Sequence, residues 1–224
     1  MIKAVIFDID GTLIDSNDAH AESFVKAFEK FGKIVSFKEL KCLIGMGADK
    51  ILEKYLSKEE IEKFGEKLTE YRKKIFINDY LPNLKTFPKM RELLEKIHNE
   101  GKKIALASSA SEEELEEYRK ILNISDLLEE ETSSDDAEES KPAPDIFQAA
   151  LEKLENIDKK EAIVIGDTPY DAIAAKKAEL QIIGVMSGGW SRERLFDEGC
   201  AEVYRDIADI YDNYETSAIK NRGI

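Results

Sequence analysis

The chain has 224 residues, of which 42% are hydrophobic, enough for one large domain or for a domain with a substantial insertion. Its formal net charge of −14 argues against nucleic acid and anionic membranes as partners, because both are bound through basic patches. Neither the two cysteines nor the two histidines have the spacing of a disulfide framework or a zinc site, so we expect a reducing, cytoplasmic compartment. No apolar run approaches about 18 residues and the N-terminus leads directly into a predicted strand, so we expect neither a transmembrane helix nor a signal peptide.

The first predicted element is a buried strand at residues 4–7, followed by a turn that contains two aspartates. Asp8 and Asp10 are separated by one residue, and Gly11 and Thr12 complete the turn. Burying two carboxylates at a strand end costs several kcal/mol unless something compensates their charge, and a bound cation would do so. Taken alone, the same residues are also compatible with an ordinary capped turn.

The segment from about residue 15 to residue 80 is predicted to be helical throughout. Apolar residues recur at helical spacing in four stretches, near 24–31, 37–43, 51–56 and 58–76. An ordinary connection between two parallel strands is much shorter than this. We therefore predict an inserted helical domain at 16–82, with the main domain formed by residues 1–15 and 83–214.

After residue 88 the pattern alternates between helices and strands, which predicts a parallel sheet with helices on both faces. The predicted strands are 103–107, 161–165, 181–186 and an edge strand at 201–203, and the predicted helices are 88–100, 111–122, 144–154, 170–178, 191–196 and 206–214. The acidic stretch 129–140 is predicted to be a solvated loop around a short strand, and the tail 215–224 to be loose. The predicted fold class is α/β, with a Rossmann-like parallel core and an inserted α-helical domain.

Polar residues follow the predicted strands at the points where these strands end. They are Asp8 and Asp10 after the first strand, Ser108 and Ser109 after the second, Asp167 and Asp171 after a later one, and Lys141 in a stiff segment with two prolines. In such sheets ligands bind at the carboxyl ends of the strands. Several carboxylates suit a hard cation such as Mg²⁺, and the cation and a lysine together provide the countercharge that a phosphate needs. The set therefore indicates phosphoryl transfer.

These residues resemble the haloacid dehalogenase superfamily of phosphohydrolases, in particular its phosphoglycolate phosphatase and beta-phosphoglucomutase-like subgroup. Four motifs appear in the family's order: residues 8–12, Ser108, Lys141 and residues 166–171. The resemblance covers about residues 1–205 and implies that the insertion 16–82 is a cap that closes over the substrate. Asp10 favours phosphate-ester chemistry, because the dehalogenases of this superfamily lack an acid at that position.

The resemblance also implies a role for each matched residue. Asp8 is expected to be the nucleophile, and Asp10 the acid that protonates the leaving alcohol and then the base that activates water. Mg²⁺ is expected to be held by the Asp8 carboxylate, the Asp10 backbone carbonyl and Asp167, with Asp171 at the metal or beside it. Phosphate is expected to be bound by Ser108, Ser109 and Lys141.

Substrate contacts are predicted for four further residues: His20, Gly45, Gly47 and Lys50. The function predicted from all these features is a Mg²⁺-dependent phosphatase that acts on a small phosphorylated metabolite, as a monomer. One alternative is a sugar-phosphate mutase with the same site, although the loop near residue 45 lacks an arginine for a second phosphate. A more remote alternative is a non-catalytic binding module, which would be expected to have lost Asp8, Asp10 or Lys141.

Overall fold

A computed structural model describes residues 1–220 of the chain. Its centre is a six-stranded sheet in which every neighbouring pair of strands is parallel, in the order β3-β2-β1-β4-β5-β6. The strands are β1 (Ala4–Phe7), β2 (Lys103–Ala107), β3 (Glu130–Thr132), β4 (Ala162–Gly166), β5 (Gln181–Val185) and β6 (Glu202–Tyr204). The predicted α/β class with a parallel sheet is confirmed.

Helices cover both faces of this sheet, because alternate residues of each central strand point to opposite sides. Val5 and Phe7 belong to one buried apolar cluster, and Ala4 and Ile6 to another. The first cluster includes side chains from helices α6 (Met90–Asn99), α7 (Glu112–Leu122) and α11 (Ile207–Asp212). The second includes side chains from α8 (Asp145–Lys153), α9 (Pro169–Lys177) and α10 (Arg192–Glu198).

The register of the three central strands aligns their carboxyl ends. Phe7, the last residue of β1, lies opposite Leu106 of β2 and Ile165 of β4. The residues that follow these strands therefore emerge at the same edge of the sheet, as expected for parallel strands. This alignment positions the candidate site.

The segment between β1 and α6 is built from helices and turns, and it has an apolar cluster of its own. Its helices are α1 (Asn17–Lys30), α2 (Phe37–Lys41), α3 (Ala48–Tyr55), α4 (Lys58–Glu60) and α5 (Glu66–Ile75), with π-helical turns at Ile61–Gly65 and Phe76–Tyr80 and a 3-10 turn at Leu81–Asn83. Phe24 and Phe28 of α1 pack there with Leu40, Leu52 and Leu68. The insertion is thus helical, and its division from the core at residues 16 and 82 stays a prediction.

The structure agrees with the prediction for the acidic stretch but differs from the prediction for the C-terminal tail. The acidic stretch contains the predicted short strand, β3, and also a 3-10 turn at Ser134–Asp136 that was not predicted. The tail was expected to be loose, but a 3-10 turn at Tyr214–Thr216 leads into residues 217–219, which are buried against the core. The prediction is wrong for residues 215–220, and residues 221–224 lie outside the described part.

Within the described residues, no helix has the length and apolar character needed to cross a bilayer.

Candidate active site

Asp8 and Lys141 form a buried ion pair at the carboxyl edge of the sheet. Lys141 Nζ lies 2.6 Å from Asp8 Oδ1 and 2.8 Å from Asp171 Oδ1, and only 1% of Lys141 is exposed. Burial would lower the pKa of this ammonium group, but Asp171 and Asp8 raise it instead. Burial raises the pKa of Asp8 to about 7, even though Lys141 opposes the shift.

Asp8, Asp167 and Asp171 bring carboxylate oxygens within 4.8 Å of one another. Burial, followed by the charges of Asp8 and Asp171, raises the pKa of Asp167 well above its usual range. Asn17 Nδ2 donates to Asp167 at 2.8 Å, and Thr12 Oγ1 lies 3.3 Å from the other oxygen of that carboxylate. Three acids that share one lysine leave a concentration of negative charge that suits a divalent cation.

The position of Asp171 follows from the start of helix α9. Thr168 is the N-cap residue, and its side chain accepts from the Asp171 backbone while the Asp171 carboxylate accepts from the Thr168 backbone at 3.0 Å. Pro169 occupies the first helical position, where its missing N–H costs nothing. Asp171 therefore caps the helix and faces Lys141 at the same time.

The Asp10 carboxylate lies in a separate group of hydrogen bonds, outside the three-acid cluster. Its Oδ1 accepts from Ser16 Oγ at 2.5 Å and from Tyr118 OH at 2.5 Å, and it lies 2.8 Å from His20 Nε2. Burial alone would raise the pKa of Asp10, but the charge and hydrogen bond of His20, with Ser16 and Tyr118, lower it to about 2. The metal role predicted for Asp10 concerned its backbone carbonyl, and it stays a prediction.

His20 connects Asp10 to a second ion pair. Its ring stacks on Phe76 with 4.0 Å between the centroids, and its Nδ1 is hydrogen-bonded to Arg72 of helix α5. Arg72 Nη1 in turn donates to Glu114 Oε1 of helix α7 at 2.6 Å, and both side chains are buried. This chain of contacts joins the helical insertion to the core beside the predicted acid–base residue.

The two serines after β2 are placed differently. Ser108 is fully buried, and its Oγ accepts from the Ala110 backbone N–H at 3.0 Å. A hydroxyl that accepts such a bond still has its own hydrogen to donate. Ser109 is partly exposed and lines the cavity above Asp8 and Asp10.

The loop with Gly45 and Gly47 lies directly against the core. A Cβ atom at Gly45 would overlap the Thr168 side chain, and one at Gly47 would overlap Ser140, the residue before Lys141. Tyr170 OH also donates to the Cys42 carbonyl at 2.7 Å. The loop needs glycine for this close approach. Lys50 lies 3.7 Å from Asp49 and is not among the described residues that line the cavity, so the structure does not bring it to the other predicted residues.

A cavity of about 440 Å³ lies between the helical insertion and the carboxyl edge of the sheet. Asp8, Asp10 and His20 line it together with the loop at residues 44–49, and Arg72 and Glu114 form part of its wall. The space above the two aspartates is therefore large enough for a small molecule and is bounded by both parts of the chain.

Three contacts of this site were missed in the sequence: Tyr118 with Asp10, Asn17 with Asp167, and Glu114 with Arg72. A signal was available for the first and third, since Glu114 and Tyr118 are four residues apart and share one face of helix α7. Glu114 also belongs to the capping box at the start of this helix, together with Ser111. Nothing in the local pattern around Asn17 distinguishes it from other residues at a helix start.

Comparisons with known proteins indicate the family and the fold of this chain. The family model of the haloacid dehalogenase-like hydrolases matches residues 5–185. A phosphoglycolate phosphatase of Aquifex aeolicus is 32% identical over 182 residues, which are 79% of this chain and 81% of that protein. The crystal structure of a hydrolase from Pseudomonas syringae superimposes with a TM-score of 0.84 at 26% identity, covering 96% of this chain and 98% of that one.

One relative is much longer than this chain. The chloroplastic protein SUPPRESSOR OF QUENCHING 1 of Arabidopsis thaliana is 31% identical over 216 residues, which are 93% of this chain but 20% of that protein. The chain thus spans about a fifth of the length of that relative.

The chain belongs to the haloacid dehalogenase-like hydrolase family. The predicted family is confirmed, and so is the prediction that the chain is an enzyme of the hydrolase class. The name of the Aquifex relative agrees with a phosphoric monoester hydrolase.

Proposed function

We propose that this protein is a Mg²⁺-dependent phosphatase that hydrolyses a small phosphorylated metabolite through an aspartyl-phosphate on Asp8. The single observation that supports this most strongly is the buried contact of Asp8 with Lys141 inside a cluster of three acids. A carboxylate placed at a cavity floor can act as a nucleophile, and the lysine beside it can attract the phosphate.

The residues present fit Mg²⁺. Asp8 and Asp167 are acids with buried oxygens on one side of the cluster, and their repulsion raises the pKa of Asp167 in addition to the effect of burial. Oxygen ligands of this kind are those that Mg²⁺ prefers. Asp8, Asp167 and the backbone carbonyl of Asp10 would hold the ion. Asp171 would lie beside these ligands, paired with Lys141. When bound, Mg²⁺ neutralises charge on the phosphate oxygens and on the acids.

The reaction proceeds in two displacements at phosphorus. An Asp8 oxygen forms a bond to phosphorus while the bond from phosphorus to the alcohol oxygen breaks, and Asp10 protonates that oxygen. A water molecule then attacks phosphorus, Asp10 takes its proton, and the bond to Asp8 breaks to release inorganic phosphate. Lys141, 2.6 Å from Asp8, keeps the released carboxylate charged and oriented for the next turnover.

The hydrogen bonds of Asp10 support its part as a base directly. Its pKa of about 2 keeps the carboxylate ionised near neutral pH, which is the form that accepts a proton from water. The second step leaves Asp10 protonated, and this proton is the one that Asp10 donates to the alcohol oxygen in the first step of the next turnover. Tyr118 and Ser16 hold the carboxylate in place during both steps.

The helical insertion acts as a cap in this proposal. Its loop at Gly45 and Gly47 lies against Thr168 and Ser140, and Arg72 pairs with Glu114 of the core in the wall of the cavity. A closed cap excludes bulk water from the phosphoryl group and orients the leaving alcohol. Ser108 and Ser109 then donate to the phosphate oxygens. The predicted monomeric state and cytoplasmic location remain predictions.

Phosphate release from a panel of small phosphate monoesters tests this function, with Mg²⁺ and with excess EDTA. We expect release in Mg²⁺ and a loss of at least about 10²-fold in EDTA, because the acids then repel the phosphate without countercharge. Phosphorus NMR of the same reactions distinguishes free phosphate from an isomerised sugar phosphate. Isomerised product without free phosphate would instead identify a mutase, and binding without any turnover would identify a binding module.

A further inference from the structure

The charged residues of the cavity wall indicate which kind of alcohol the substrate phosphate is attached to. Apart from Asp8 and Asp10, the charged side chains of residues 1–220 that line the cavity are Asp49, Arg72, Lys73, Glu114 and Glu138. We call these five residues the outer lining. Three of them are acids and two are bases, so the outer lining has a formal charge of −1.

The positive charge of Arg72 is already compensated by an acid, although its Nε has no hydrogen-bond partner among the described residues. Its guanidinium group contacts Glu114 at 2.6 Å and His20, and it lies 4.8 Å from the ring centroid of Phe24. Only 7% of Arg72 and 4% of Glu114 are exposed. A substrate carboxylate that drew Arg72 away would leave the Glu114 carboxylate buried and unpaired, which is strongly unfavourable.

Lys73 is paired as well. Its Nζ lies 2.7 Å from Glu113, outside the cavity, while Asp49 and Glu138 add negative charge to the lining. A leaving group with a carboxylate or a second phosphate would meet acids and two paired cations. The uncharged polar part of the wall suits another chemistry, because the hydroxyls of Ser109, Ser134 and Ser140 line the same cavity.

We propose that the substrate is the phosphate monoester of an uncharged, hydroxyl-bearing alcohol, and that Glu114 disfavours substrates with a second anionic group by neutralising Arg72. This inference rests on the proposed phosphatase function. It makes Glu114 a specificity-determining residue, whose effect is on the choice between substrates rather than on the chemical step.

Matched substrate pairs test the proposal. 2-Hydroxyethyl phosphate and 2-phosphoglycolate differ only in a hydroxymethyl group against a carboxylate, and fructose 6-phosphate and fructose 1,6-bisphosphate differ by one phosphate. We expect kcat/KM of the wild type to be at least about tenfold higher for the neutral member of each pair, which corresponds to about 1.4 kcal/mol. A preference for the anionic members would overturn the proposal, and failure to release phosphate from any ester would overturn the phosphatase function itself.

Substitution of Glu114 tests whether its charge affects the choice between neutral and anionic substrates. Glu114→Gln keeps a hydrogen-bond acceptor for Arg72 but removes the charge, so the ratio of kcat/KM should move about tenfold towards the anionic substrates. Glu116→Gln is the matched control on the exposed face of the same helix, and its ratio should stay within about twofold of the wild type. Glu138→Gln, at an exposed position of the lining, should shift the ratio in the same direction by about threefold even if Glu114→Gln does not fold. An unchanged ratio in folded Glu114→Gln would contradict the role assigned to Glu114. An unchanged ratio in Glu138→Gln would contradict the proposal that the charge of the outer lining disfavours anionic substrates.

Discussion

Replacement of Asp8 by asparagine is expected to reduce phosphate release at least about 10³-fold, because the amide cannot displace the alcohol from phosphorus. The change is nearly isosteric, and Lys141 keeps its partner Asp171 at 2.8 Å. Asp8 is 6% exposed, and burial raises its pKa to about 7. The charged carboxylate therefore destabilises the folded state at and above neutral pH, and the uncharged amide does not have this cost. Initial rates with Mg²⁺ and a thermal unfolding curve measure the two effects.

The fold of the Asp8→Asn variant should survive, with an unfolding temperature equal to or above that of the wild type. Asp15→Asn is the matched control, since it makes the same chemical change at an exposed position seven residues along the chain. That control should keep its rate within about twofold of the wild type. Full phosphate release by folded Asp8→Asn would rule out Asp8 as the nucleophile.

Replacement of Lys141 by methionine should damage both stability and activity. The side chain is 1% exposed, and methionine would fill much of its volume but leave Asp8 and Asp171 buried without their cation. Removing one partner of a buried ion pair costs about 3–5 kcal/mol. We therefore expect the free energy of unfolding, measured by denaturant titration in EDTA, to fall by about this amount. Phosphate release should fall at least about 10²-fold.

An exposed pair provides the comparison for Lys141. Lys159 lies 3.0 Å from Glu179, with both side chains largely in solvent. Lys159→Met should change the free energy of unfolding by less than about 1 kcal/mol, since exposed ion pairs contribute little. Equal losses in the free energy of unfolding for the two variants would show that Lys141 does not stabilise the buried acids.

Much of the fold and part of the candidate site follow from the sequence. Short apolar runs next to turn residues predicted β1, β2, β4 and β5, and the parallel arrangement brought Asp8, Asp167 and Asp171 together as expected. This works because the direction of parallel strands alone decides the edge at which their following residues emerge. Strand neighbours and exact registers were not needed for it.

Contacts between distant helices could not be predicted in the same way. The pairing of Arg72 with Glu114 depends on how the helical insertion packs on the core, and helical spacing alone does not fix that packing. The C-terminal residues Ala218 and Ile219 are buried by tertiary contacts that a short segment without periodicity does not reveal. Lys50, for which the resemblance to the family's cap loop predicts a substrate contact, lies beside Asp49 instead.

The most direct test of the aspartyl-phosphate mechanism is the stereochemical course of hydrolysis at phosphorus. The substrate is a thiophosphate monoester whose two non-bridging oxygens are different isotopes, and the reaction is run in water enriched in the third oxygen isotope. Two successive in-line displacements, first by Asp8 and then by water, invert the configuration twice. The released thiophosphate has sulfur and three different oxygen isotopes on phosphorus, so its configuration can be determined, and overall retention is the result we predict. Overall inversion would show a single displacement by water, and Asp8 would then not carry the phosphoryl group.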